Sequence, residues 1–109
     1  MIEIRECLDA RGRSRFADWF DDLDAQAAAK VAVALARMEQ GNLAHAKAVG
    51  EGVQEFRINW GPGYRLYFGR DGEVLIILLC GGTKRRQDDD IAEAKQRWAD
   101  YKRRKKEDA

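Results

Sequence analysis

Residues 53–80, VQEFRINWGPGYRLYFGRDGEVLIILLC, alternate with a period of two and are interrupted twice by turn chemistry. Gln54, Phe56, Ile58 and Trp60 fall on one face of an extended chain, and Glu55, Arg57 and Asn59 on the other. Gly61-Pro62-Gly63 supplies a turn, with proline at its natural φ and glycines free to take positive φ. In the next strand Tyr64, Leu66 and Phe68 alternate with Arg65 and Tyr67, and Asp71-Gly72 is a two-residue hairpin signal. VLIILLC, residues 74–80, is apolar at both parities, as expected of a central strand covered on both sides. A three-strand antiparallel meander is the consequence.

The rest of the chain supplies what covers that meander. MIEIRECL at the N-terminus reads as a short strand with Ile2 and Ile4 inward. Ser14 is placed to cap a helix carrying Phe16, Trp19, Phe20 and Leu23, and Asp24 a second helix over about residues 25–40 with Val31, Leu35 and Met38 on one stripe. Gly41-Asn42 ends the second helix, so the two form a hairpin. Residues 43–53 have two glycines and no period, and read as a returning loop. After Gly81-Gly82 the polar run TKRRQDDD leads to a helix starting at Ile91, with Ile91, Ala94, Trp98 and Tyr101 at helical spacing. Residues 102–109, a basic tail without apolar anchors, are expected to fray. The predicted class is α+β, as one domain over residues 1–109.

Composition narrows the function classes. Lys plus Arg number 20 and Asp plus Glu 19, a net charge of +1, so attraction to a polyanion must come from clustering and not from the total. No apolar run approaches the ~20 residues a membrane helix requires, and the N-terminus lacks a signal-like apolar core, so a cytoplasmic protein is expected. Cys7 and Cys80 lie far apart and His45 is the one histidine, a pattern without metal-ligand spacing. Neither a metal nor another cofactor is expected.

Arg57 and Arg65 are the sequence's candidate chemistry. Alternation places both on one face of neighbouring strands, opposite Phe56, Ile58, Leu66 and Phe68, with Glu55 and Tyr67 beside them. Lys84, Arg85 and Arg86 leave the next strand at the same end. Guanidiniums on a rigid sheet suit phosphate, because they offer bidentate donors whose charge is independent of pH. An exposed face on which the arginines pair with Glu55 is the plainer reading of the same residues.

The order of elements, together with VGEGVQEFRINWGPGYRLYF and LLCGGTKRRQDDDIAEAKQRW, resembles the RelE/ParE toxin superfamily, and within it the phage Gp49-like, HigB-type addiction module killer proteins. The resemblance spans nearly the whole chain. It implies a RelE-like domain acting as the toxin of a type II toxin-antitoxin module, restrained by an antitoxin, of helix-turn-helix type, encoded beside it. Relatives of this kind cleave mRNA on the ribosome without a metal. The RNA 2′-hydroxyl attacks the adjacent phosphate, which calls for a base, cations for the developing charge and an acid for the leaving oxygen. By position, the resemblance assigns Arg65 to the scissile phosphate, Arg57 to a second phosphate contact, Lys84, with Arg85 as the alternative, to the transition state, and Lys47 to an RNA contact. Arg85 and Arg86 at the sheet's edge and Tyr67 on the arginine face are RNA-contact candidates from the residues themselves. The resemblance makes Asp90 an acid or base candidate, although Asp90 also suits a cap for a helix starting at Ile91. His45, near Lys47 in the sequence, is a second base candidate from the residues alone, with a surface loop histidine as the plainer reading. Two departures stand out: Glu55 replaces a lysine common in such nucleases, and Asp88, Asp89 and Asp90 occupy the stretch where a tyrosine or histidine is usual. The alternative implied by the same superfamily is a ParE-like inhibitor of DNA gyrase, which needs no acid-base pair.

Overall fold

Ser14 and Asp24 set the start of the helical hairpin. In the computed structural model, which describes residues 1–108, Ser14 Oγ accepts from the Ala17 amide at 3.0 Å and Asp24 Oδ1 from the Ala27 amide at 2.8 Å. They open α1 (Arg15–Asp21) and α2 (Ala25–Glu39). The second helix closes with Gly41 at φ 81°, where the Gly41 and Asn42 amides donate to the carbonyls of Met38 and Arg37. That is a Schellman stop, and glycine is there because the conformation is left-handed.

Five strands form one sheet in the order β1-β5-β4-β3-β2: β1 (Glu3–Glu6), β2 (Ala46–Gly50), β3 (Val53–Ile58), β4 (Tyr64–Arg70) and β5 (Leu75–Thr83). β1 runs parallel to β5, and the other pairings are antiparallel. The meander therefore has four strands and not three, because part of the segment read as a loop over residues 43–53 is β2. Its AKAVG sequence has small and exposed side chains suited to an edge, so no apolar alternation announces it. The turn into β3 places Gly50, Glu51 and Gly52 at positive φ, with a bulge between Ala48 and Gly50.

Both faces of the sheet are covered. α1 and α2 lie on the side of Phe56, Leu66, Phe68, Ile76 and Leu78, and α3 (Gln87–Glu107) on the side of Val53, Tyr67, Ile77, Leu79 and Cys80. The two parities of VLIILLC are thus divided between two cores. Gly81 and Gly82, which look like a strand's flank, lie inside β5 for a steric reason: a Cβ on Gly81 would stand 2.3 Å from the Trp19 ring, and one on Gly82 1.9 Å from Asp90 Oδ2.

The last helix departs from expectation at both ends. It begins at Gln87, after a single 3-10 turn at Lys84–Arg86, so Asp90 sits in its first turn and caps nothing. Asp88, Asp89 and Asp90 there face the positive end of the helix dipole. At the other end, residues 102–107 remain helical. The Tyr101 hydroxyl donates to Asp71 at 2.7 Å, Lys105 Nζ donates to the same carboxylate, and Arg104 Nη2 donates to the Leu8 carbonyl at 2.7 Å. Polar anchors replace the apolar ones whose absence suggested fraying.

Candidate functional site: a guanidinium pair clamped by Glu55

Register puts Arg57 directly opposite Arg65 across β3 and β4, with Gly82 of β5 next in the row. Like charges directly opposite each other on neighbouring strands repel, so the pair needs a counter-ion. Glu55 provides it. Two residues before Arg57 on the same face, its carboxylate is fully buried; Oε1 accepts from Arg57 Nε at 2.8 Å and lies 3.5 Å from Arg65 Nε. Gln87 Nε2, from the first residue of α3, donates to the other oxygen at 2.8 Å. Burial alone would push the Glu55 carboxyl up, but these donors and the Arg65 charge outweigh it and hold the group below its ordinary value. The carboxylate stays ionised and the cluster keeps net positive charge.

The clamp acts on the Nε side of both guanidiniums. Arg65 is otherwise tied through Nη1 to the Gly63 carbonyl at 3.2 Å and is nearly buried, whereas the Arg57 side chain is 42% exposed. Lys84 joins from the 3-10 turn: its Cβ and Arg65 Nη1 lie 3.6 and 3.7 Å from the point where a Cβ on Gly63 would stand, and its amide donates to the Gly63 carbonyl. Arg85 and Arg86 follow as exposed residues. Lys47 is the register partner of Glu55 on β2, exposed at the other margin. The arrangement can grip an anion between one buried and one exposed guanidinium, with lysines on either side.

Three sequence candidates are placed otherwise than a direct role requires. Tyr67 shares the face but has no exposed surface, because α3 covers it, so its ring presents no plane to a nucleobase. Its hydroxyl has no hydrogen-bond partner, and burial with the Glu55 and Asp90 charges nearby raises its pKa. Asp90 is buried over Gly82, with Oδ2 unpartnered and burial raising its pKa. His45 stands edge-on to Phe56, with ring centroids 6.0 Å apart, on the other side of β3 from the Glu55 clamp; it lines a concavity there with Arg57 and makes no contact with Arg65 or Glu55 among the described residues. Among the described residues no cluster of His, Cys, Asp and Glu has the arrangement of a metal site, and no helix is long and apolar enough to cross a membrane.

Glu55 and Gln87 complete the centre although neither is among the sequence's site candidates. Glu55 and Arg57 at i and i+2 of one strand are a readable signal for an ion pair on one face. Gln87 gave none, since its contact depends on α3 beginning four residues before Ile91.

Sheet, flanking helices and clamped arginines together define a small α+β domain with a cationic centre at one end of its central strands. The chain belongs to the phage-derived Gp49-like protein family, whose profile matches residues 18–99. It is also 43% identical over 81 residues to an uncharacterized protein of Haemophilus influenzae, a match covering 73% of this chain and 82% of that protein. The family match includes β2 to β5, the 3-10 turn and most of α3, and so the whole arginine centre.

Proposed function

We propose that this protein is the toxin of a type II toxin-antitoxin module and acts as a metal-independent, ribosome-dependent mRNA endoribonuclease. The observation that carries the reading is the Arg57–Arg65 pair, set opposite across two strands and held by one buried carboxylate beside Lys84. A phosphodiester under attack by its own 2′-hydroxyl gathers negative charge on the phosphorus oxygens, and fixed cations aimed at that charge are what such a step most needs. Membership in the phage-derived Gp49-like family supports the toxin assignment.

In this mechanism Arg65 is the buried ligand of the scissile phosphate and the more exposed Arg57 is a second ligand from the adjacent strand. Lys84 neutralises charge at the leaving 5′-oxygen or protonates it. Lys47, Arg85 and Arg86 hold the flanking backbone. Among the described residues no side chain in the centre is a free, exposed base, so in this reading proton removal from the 2′-hydroxyl falls to a group supplied when the mRNA is presented on the ribosome. A cognate antitoxin of helix-turn-helix type, encoded adjacently, restrains the protein by covering the cationic centre.

Primer extension on an mRNA translated in a purified system tests this, with gyrase supercoiling assayed in parallel. Cuts that require both the protein and the ribosome are expected. Intact mRNA with blocked supercoiling would replace the nuclease reading with that of a gyrase inhibitor.

A further inference from the structure

A concavity of about 300 Å³ lies on the other side of β3 from the Glu55 clamp, between the last residues of β3 and α2. Lys30, Val33, Ala34 and Arg37 form its helical wall at i, i+3, i+4 and i+7, and Phe56 and Ile58 its floor. Val33 is 51% exposed between two cations, and neither Lys30 nor Arg37 makes an ion pair among the described residues. No acid lines the groove. In a chain with 20 basic and 19 acidic residues that is a matter of placement.

We propose that this groove is a nucleotide subsite, which takes one unpaired nucleotide of single-stranded RNA next to the phosphate held at Arg57 and Arg65. The proposal rests on the nuclease reading and adds to it a second contact region. Three features choose RNA over an acidic peptide. Arg57 belongs to both places, pairing with Glu55 at the centre and lining the groove, and it lies beyond the last β2 pairing of β3, Ala46 with Phe56, so a strand leaving the arginines past the C-terminal end of β3 enters the groove directly. The volume is that of a small-ligand pocket and fits one base, not a helix. Asn59 and His45 add hydrogen-bonding side chains to an apolar floor, the combination that reads the edge of an unstacked base, while Lys30, with its Nζ 5.7 Å from the Trp60 ring centroid, and Arg37 stand where the backbone phosphates pass.

The test uses the full chain, with Lys30→Glu combined with Arg37→Glu, against Arg11→Glu combined with Arg13→Glu as a charge control on the loop before α1. Both pairs are exposed, so folding should survive, which a thermal melt checks. The first readout is binding of a short 2′-O-methyl single-stranded RNA, which cannot be cut, as a function of salt. The groove variant should bind at least about 10-fold more weakly than the control and lose about 1.4 from the slope of log affinity against log salt, two contacts at about 0.7 each. The second readout is the base preference beside the cut in translated mRNA, which should relax in the groove variant alone. Equal affinity, slope and preference in the two variants would overturn the subsite, as would loss of an acidic protein partner with RNA binding unchanged. Cutting by wild type with a silent groove variant would leave the nuclease reading intact; RNA binding lost in the groove variant, with no cutting by any form, would leave the subsite and remove the nuclease.

Discussion

Glu55 and Asp90 are two buried carboxylates on the α3 side of the sheet, pushed in opposite directions by their surroundings. Glu55 is held down by its donors, so the stability it contributes is present above its unfolded pKa of about 4.3 and is lost as pH falls through its folded value. Asp90 is pushed up by burial with Oδ2 unpartnered, so its ionised form opposes folding as pH rises above the unfolded value of about 3.9. Two mutants separate these effects in thermal melts between pH 3 and pH 7. Glu55→Gln should lower the melting temperature at pH 7 and lose less on acidification than wild type. Asp90→Asn should raise the melting temperature at pH 7 and converge on wild type in acid. Identical pH profiles for the three proteins would show that neither environment is as described.

At the scale of elements, β5 depends on glycine for its length and α3 on polar anchors for its last turns. Gly81→Ala pushes a methyl into the Trp19 ring and should cost about 1–3 kcal/mol by overpacking, read as a lower denaturant midpoint with an unchanged slope. An unaltered midpoint would mean that Trp19 does not seal the helical hairpin onto the strand. Ending the chain after Tyr101 removes Arg104 and Lys105 from Leu8 and Asp71, and should lower the melting temperature by a few degrees while leaving the sheet's circular dichroism in place. No change would return the tail to the frayed state that its composition suggested.

The elements that the sequence disclosed are those with strong local signals: the caps at Ser14 and Asp24, the stop at Gly41, the turns at 61–63 and 71–72, and the two-sided strand VLIILLC. β2 was hidden because an edge strand of small residues needs no alternation. The early start of α3 was hidden because QDDD has no apolar member, and its first turn is fixed by the sheet beneath it through Gln87 and Glu55. The site follows the same division. Arg57 and Arg65 were legible from period two, whereas the burial of Tyr67 and Asp90 follows from how α3 lies on the sheet, which no local pattern encodes.

For the molecule as a whole, two helices on one face and one on the other leave the end of the central strands as the place where cations from β3, β4 and the 3-10 turn meet. The account stands on that convergence being a reaction centre. Its most direct test is the rate of ribosome-dependent mRNA cleavage by Arg65→Ala beside wild type, with the folded fraction of each set by a melt. We expect the rate to fall by about 10²–10³, the usual cost of removing one group that stabilises developing charge. Cleavage by folded Arg65→Ala at the wild-type rate would contradict the account.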